Sequence, residues 1–142
     1  SGRLDMKIGL KSPTILQKVR RNNMRVLAFE DSFDIEALLS SGGVNLEHIN
    51  LLQKWTTDDA LEIISDFSPD ILLFDYYIPP YTGLEVLKSL NLAIKAGRVL
   101  RPQFIVAMSS EAGANRQMSQ IGADFAIIKF DLATLPLWST EV

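Results

Sequence analysis

The clearest secondary-structure signal in the chain is in residues 69–83, which read PDILLFDYYIPPYTG. The apolar residues 71–74 end at Asp75, a pattern typical of a short strand that is buried on both faces. A Pro-Pro pair then interrupts the chain. From Gly83 to about Lys95 the apolar residues recur at helical spacing. A buried strand followed by an amphipathic helix indicates an α/β protein.

The same alternation of apolar strands and amphipathic helices continues on both sides of this stretch. It predicts five strands with four helices between them, and a last helix that is short or missing because a proline interrupts the tail. Such an order predicts a doubly wound parallel sheet in a three-layer α/β sandwich. We expect the flavodoxin-like strand order 2-1-3-4-5, which is one of the common orders of such sheets. We expect Thr56, Thr57 or Asp58 to cap the second helix. The predicted strands are 24–29, 49–55, 70–75, 104–108 and 124–128, and the predicted helices are 34–41, 57–67, 83–95 and 111–121.

The composition is that of one soluble globular domain, with 142 residues of which 47% are hydrophobic and 22% charged. The absence of cysteine excludes disulfides and thiolate metal sites. No apolar run approaches the roughly 18 residues that would span a bilayer, and the N-terminus lacks the apolar core of a secretory signal. We therefore expect no membrane association.

Charge is distributed unevenly along the chain. Residues 1–25 contain seven of the 14 basic residues and one acidic residue, whereas the remainder has 7 basic and 16 acidic residues, a net charge of −9. An acidic body argues against nucleic-acid binding by this domain. We expect residues 1–23 to form a basic extension, either tag-derived or a short helix, and residues 24–142 to form the folded domain.

Polar residues follow the ends of several predicted strands. Glu30 and Asp31 follow the first strand, Asp75 is the last residue of the third, Ser109 follows the fourth and Lys129 follows the fifth. Parallel strands end at one edge of a sheet, and ligands bind there where the strand order reverses, between strands one and three. Three carboxylates in that crevice would repel one another and resist ionising, a conflict that a divalent cation resolves. A carboxylate nucleophile, an oxygen-bound metal, a cation and a hydroxyl match an aspartyl-phosphate site.

These residues resemble the response-regulator receiver family of two-component signalling, over Met24 to about Leu135. The most specific feature is Asp75 with a proline four residues later at Pro79 and a glycine eight residues later at Gly83. The resemblance implies a CheY-like receiver domain that is phosphorylated by a histidine kinase or a histidine phosphotransfer protein. It implies no enzymatic activity beyond the domain's own phosphorylation and dephosphorylation.

The resemblance also implies roles for individual residues. Ser109 corresponds to the switch hydroxyl, with Ser110 as the rival if the strand end shifts by one. The implied partners are the phosphodonor protein and a downstream protein target, with a homodimer as one arrangement, in the cytoplasm. The implied phosphoacceptor site consists of Asp75, Lys129 and Ser109, and the implied Mg²⁺ or Mn²⁺ ligands are Glu30, Asp31, Asp75 and the backbone of Tyr77.

The chain departs from the family pattern at two positions near Lys129. Phe130 stands where receivers usually have proline, so we expect either a differently aimed Lys129 or a strained cis bond, which costs about 2.5–4 kcal/mol without proline. Ala126 stands where the family has its switch aromatic, and Phe125 is expected on the opposite strand face. These departures leave open a pseudo-receiver, a protein-interaction module that acts independently of phosphorylation. A flavodoxin-like cofactor site is disfavoured, because the acidic residues after strand one have the wrong charge for a phosphate-binding loop.

Tyr77 and Glu111 occupy the positions at which receivers tune dephosphorylation, two residues beyond the acceptor and two beyond the switch hydroxyl. A bulky Tyr77 is expected to shield the phosphoryl group from water.

Overall fold

The computed structural model describes residues 23–139. The predicted basic extension therefore lies outside the described residues, apart from Asn23. The strands are β1 (Met24–Phe29), β2 (Ile49–Lys54), β3 (Ile71–Phe74), β4 (Phe104–Ala107) and β5 (Phe125–Ala126), and the helices are α1 (Ile35–Ser41), α2 (Ala60–Phe67), α3 (Gly83–Lys95), α4 (Ala112–Gln120) and a 3-10 helix (Lys129–Thr134).

The five strands form one parallel sheet in the order β2-β1-β3-β4-β5, which confirms the predicted fold class. The register pairs Phe29 with Phe74, and Phe74 with Ala107. The residues that immediately follow β1 and β3, Glu30 and Asp75, are therefore neighbours at the carboxyl edge. The sheet register thus brings acidic residues from distant parts of the sequence to one place.

Alternate strand residues point to opposite faces of the sheet and fill two separate cores. One core lies under α2, α3 and α4, and its strand residues include Leu27, Leu72 and Ile105. The other core lies under α1, and its strand residues include Val26 and Leu73. Both faces are covered, as the continuous apolar strands predict.

The prediction of a short or missing last helix is confirmed in the described part of the chain. The segment after β5 forms a 3-10 helix and then places Leu137 and Trp138 in the core beneath α1. The indole Nε1 of Trp138 donates a hydrogen bond to the carbonyl oxygen of Leu132 at 3.0 Å. The 3-10 helix and the apolar residues Leu137 and Trp138 therefore cover this part of the sheet in place of a full helix.

The predicted start and capping of α2 are wrong. The helix begins at Ala60, and the residue before it, Asp59, makes no capping side-chain hydrogen bond. Thr57 instead donates its hydroxyl to the carbonyl oxygen of Tyr81 at 2.7 Å and accepts from the Tyr81 amide at 2.8 Å. Thr56 and Asp58 hydrogen-bond each other's side chains. The loop between β3 and α3 competes for the capping side chain, and local sequence does not reveal such a competitor.

Strand β5 is shorter than the predicted range 124–128. One further bond of the ladder forms beyond it, from the amide of Ile127 to the carbonyl oxygen of Ala107 at 2.9 Å. The Ile127 carbonyl oxygen then accepts from a side chain on α4. Pairing ends because that side chain replaces the next strand partner.

Within residues 23–139, no helix is both long enough and apolar enough to cross a membrane.

Candidate functional site

Three carboxylates meet at the carboxyl edge of the sheet. Glu30, Asp31 and Asp75 each offer an oxygen atom, and these atoms all lie within 4.8 Å of one another. Glu30 and Asp75 are buried, while Asp31 is partly exposed. The predicted convergence of these side chains is therefore present in the structure.

Lys129 joins this cluster from the far edge of the sheet. Its Nζ lies 2.8 Å from an oxygen of Glu30 and 3.2 Å from an oxygen of Asp75. Lys129 opens the 3-10 helix and does not end the strand, which stops at Ala126. One buried ammonium group thus faces two buried carboxylates.

Glu30 is also held by the loop that follows it. The oxygen that does not contact Lys129 accepts hydrogen bonds from the amides of Ser32 at 2.9 Å and Phe33 at 3.1 Å. A buried carboxylate with such partners is fixed in orientation. Glu30 therefore acts as a rigid anchor for Lys129, in addition to being one of the three candidate oxygen donors.

The charges in this cluster are not balanced. Burial raises the pKa of Asp75, and the neighbouring charge of Glu30 raises it further, against the opposing effect of Lys129. Burial lowers the pKa of Lys129, but its hydrogen bond to Glu30 and the charge of Asp75 outweigh that effect and raise the pKa overall. Lys129 thus stays charged while the Asp75 carboxylate has an excess of negative charge beside it. Oxygen donors with excess negative charge suit a hard divalent cation.

Ser109 is fully buried just beyond β4, whereas Ser110 is exposed. The Ser109 hydroxyl oxygen accepts a hydrogen bond from the amide of Glu111 at 3.1 Å. Because it acts there as an acceptor, its own proton stays available for another acceptor. Of the two rival hydroxyls, Ser109 is the one that lies inside the molecule.

A tyrosine and a glutamate bridge the two loops beside the cluster. The hydroxyl of Tyr77 donates to a carboxylate oxygen of Glu111 at 3.1 Å, and the Tyr77 side chain is otherwise largely exposed. This hydrogen bond and the Glu111 charge raise the pKa of Tyr77. The contact links the loop after β3 to the start of α4.

The departures near Lys129 have a simple structural outcome. Among the described residues the only cis peptide bond is Pro79–Pro80, so the Lys129–Phe130 bond is trans and Lys129 still reaches both carboxylates. The Phe130 ring packs edge-on against Phe33 at 5.0 Å between centroids. The Lys129 Nζ lies 5.1 Å from the centre of the Phe33 ring, within range of a cation–π contact.

Ala126 is exposed, and Phe125 packs on the α1 side of the sheet against Phe104, with ring centroids 5.8 Å apart. The prediction that these two residues lie on opposite strand faces agrees with this arrangement.

Sequence reasoning missed Asn115, which is buried on α4 and bonded to the backbone of Ser109. Its signal in the sequence is a polar amide one turn before the apolar Met118, on the inner face of an amphipathic helix. A polar residue at such a position is informative, because asparagine is seldom buried without partners.

No protein-family model matches the chain. Among curated proteins, the chain is 28% identical over 101 residues to the Sporulation initiation phosphotransferase F of Bacillus subtilis (strain 168). That match covers 71% of this chain and 77% of the relative.

Several solved structures with the same fold are receiver or response-regulator domains. The response regulator domain of Thermotoga maritima CheB matches with a TM-score of 0.56 and 24% identity, covering 75% of this chain and 78% of that one. The phosphorylated cyanobacterial phytochrome response regulator RcpA matches with a TM-score of 0.63 and 15% identity, covering 84% and 97%. The Mn(2+)-bound form of response regulator Rcp1 matches with a TM-score of 0.60 and 13% identity, covering 84% and 97%.

Proposed function

We propose that this chain is a CheY-like receiver domain of the response-regulator family and that it accepts a phosphoryl group on Asp75. The proposed donor is a phosphohistidine on a histidine kinase or a histidine phosphotransfer protein. The observation that carries this proposal is the meeting of Asp75 with Glu30, Asp31 and Lys129 at the sheet edge. A bare strand-end carboxylate would need neither a buried ammonium nor two further acids beside it.

The proposed reaction is a displacement at phosphorus. A carboxylate oxygen of Asp75 forms a bond to phosphorus while the bond from phosphorus to the donor histidine nitrogen breaks, and its electron pair leaves with the imidazole. Lys129, oriented by Glu30, supplies positive charge beside the Asp75 oxygen that it already contacts. The free proton of Ser109 is the one that would be donated to a phosphoryl oxygen.

The oxygen donors fit Mg²⁺ or Mn²⁺, which would be held by Asp31, Asp75 and the backbone carbonyl of Tyr77, with Glu30 as the third acid. No residue among 23–139 donates a hydrogen bond to that Tyr77 carbonyl, which leaves its lone pairs available. When bound, the cation offsets negative charge on the transferring group. The relative described as Mn(2+)-bound supports a site of this kind in the same fold.

The proposal extends to the setting of the domain. Residues 24–142 would be the signalling domain, and residues 1–23 a basic extension appended to it. Phosphorylation would change the surface around Ser109 and so the binding of a downstream protein, in the cytoplasm. The chemistry would be limited to the domain's own phosphorylation and dephosphorylation.

The test is incubation of the whole chain with Mg²⁺ and acetyl phosphate, followed by intact mass measurement. We expect the wild type to gain one phosphoryl group, and the gain to disappear with chelator or in Asp75→Asn. Asp66→Asn is the matched control, since Asp66 is an exposed acid on α2 and should leave the gain unchanged. A folded wild type that gains no mass with either Mg²⁺ or Mn²⁺ would contradict the proposal and favour the phosphate-independent interaction module.

A further inference from the structure

Asn115 is a buried polar residue for which the proposed chemistry gives no role. It lies in the first part of α4 and is 5% exposed. Asparagine is a poor helix former and is seldom buried. Its position therefore requires specific hydrogen-bond partners.

The Asn115 amide makes three hydrogen bonds to backbone atoms. Its Oδ1 accepts from the amide of Ser109 at 2.9 Å, and its Nδ2 donates to the carbonyl oxygens of Ser109 and Ile127, both at 3.0 Å. Both donor hydrogens and the amide oxygen are thus engaged. The side chain pairs with Ser109 through an N–H and a C=O, as a neighbouring strand would.

This pairing lies where the sheet stops. Strand β4 ends at Ala107, and the last ladder bond toward β5 is the one between the Ile127 amide and Ala107. Beyond that point, Asn115 connects the segment that carries Ser109 to the segment that leads to Lys129. The two groups proposed to meet the phosphoryl group, the Ser109 hydroxyl and the Lys129 ammonium, are thus tied together by one side chain.

We propose that Asn115 is a positioning residue that fixes the backbone of Ser109 and Ile127 at one spacing. The Ser109 hydroxyl and Lys129 then approach the transferred group in a set geometry. Asn115 itself touches neither the phosphoryl group nor the metal ligands. This inference rests on the proposed phosphorylation of Asp75.

The test compares Asn115→Leu, which removes all three bonds, with Asn115→Asp, which has nearly the same shape but loses both donors. Met118→Ala is the matched control, because Met118 is fully buried on the same helix and belongs to the apolar core. For each variant, the phosphorylation rate with acetyl phosphate, the Mg²⁺ affinity, the urea midpoint and the exchange of the Ser109 amide hydrogen are measured.

We expect the phosphorylation rate to fall by about tenfold to a hundredfold in both Asn115 variants, as it does when positioned groups shift slightly. Mg²⁺ affinity should stay within about twofold, because the acidic ligands follow β1 and β3. The Ser109 amide should exchange faster, since it loses its acceptor in Asn115→Leu. Met118→Ala should lower the urea midpoint and leave the rate unchanged. If Asn115 only stabilised the fold, its variants would lower the urea midpoint without slowing phosphorylation at an unchanged Mg²⁺ affinity.

An Asn115→Leu protein that is phosphorylated as fast as wild type would overturn this inference and leave the proposed function standing. An equal loss of rate in Met118→Ala at a comparable urea midpoint would do the same. If Asn115→Leu fails to fold, Asn115→Asp decides by the same criteria. A wild type that takes no phosphoryl group overturns the proposed function first, and this inference with it.

Discussion

At the scale of single residues, the buried part of the site, which consists of Glu30, Asp75 and Lys129, has one more negative than positive charge. Lys129 satisfies an oxygen of Glu30 and an oxygen of Asp75, but one ammonium cannot neutralise two carboxylates. Burial raises the pKa of Asp75, and the unbalanced charge of Glu30 raises it further. The excess negative charge suits the binding of a cation, and it lowers the stability of the metal-free protein.

We expect Asp75→Asn to raise the urea midpoint of the metal-free protein near neutral pH. Folding raises the pKa of Asp75 above its ordinary 3.8. Its charged form is thus disfavoured in the folded state, and stability is lost as pH rises through the folded pKa. The difference between variant and wild type should therefore shrink on acidification. Equal midpoints near neutral pH, or a difference that grows on acidification, would contradict this reading. Asp66→Asn serves as the control.

The hydrogen bond between Tyr77 and Glu111 predicts an effect on the lifetime of the phosphoryl group. Tyr77→Phe removes the bond and should shorten the lifetime by about two- to tenfold, the range expected for a net hydrogen bond of roughly 0.5–1.5 kcal/mol. Tyr77→Ala also removes the ring that we expect to shield the phosphoryl group, and it should shorten the lifetime at least as much. The loss of phosphoryl mass is followed after the donor is removed.

Tyr81→Phe is the control for this experiment, since Tyr81 is equally exposed and its hydroxyl has no hydrogen-bond partner among residues 23–139. An unchanged lifetime in Tyr77→Ala would rule out the shielding role.

At the scale of elements, α3 begins in direct contact with the backbone of Asp75 and Tyr76, just after β3. Thr82 and Glu85 form a reciprocal capping box at its start, and the amide of Gly83 donates to the carbonyl oxygen of Tyr76 at 2.9 Å. A Cβ at Gly83 would overlap with the carbonyl oxygen of Asp75. The glycine eight residues after Asp75 is thus explained by a close approach of the helix to the backbone of Asp75.

Two glycine substitutions should have opposite effects for this reason. Gly83→Ala should lower both the stability and the phosphorylation rate, because the added methyl group must displace the backbone of Asp75. Gly113→Ala, in α4, should raise the free energy of unfolding by roughly 0.5–1 kcal/mol. The nearest atom to a Cβ there is a side-chain nitrogen of Arg116, at 3.6 Å. Urea unfolding of both variants measures the contrast, and destabilisation of similar size in the two would refute the packing argument.

At the scale of the whole molecule, the two faces of the sheet are covered by different means. Three helices cover one face, whereas α1, the 3-10 helix and the residues that follow it cover the other. Trp138 is buried in that second core, whereas Trp55 is half exposed.

Trp138→Ala should therefore lower the free energy of unfolding by about 3–5 kcal/mol, the usual cost of removing a buried large side chain. Trp55→Ala is the matched control and should lose less than half as much, because half of its surface is already in water. Urea denaturation of the two variants gives both numbers. Equal losses would mean that the segment after the 3-10 helix does not close the core.

The sequence by itself determined the alternation of strands and helices, the parallel sheet covered on both faces, and the meeting of Glu30, Asp31 and Asp75 at one edge. Those features follow from the periodicity of the apolar residues, from the proline and glycine residues that end the strands and helices, and from the rule that parallel strands end at a common edge. The face chosen by Phe125 follows from the two-residue repeat of a strand in the same way.

Only the tertiary structure decided which partner each polar side chain takes. Thr57 binds Tyr81 instead of capping α2, Asn115 pairs with Ser109, and Lys129 reaches Glu30 across 99 residues of sequence despite Phe130. Periodicity specifies which way a side chain faces. A hydrogen bond also requires that the donor and the acceptor lie at a suitable distance and angle, and the packing of the whole chain sets that geometry.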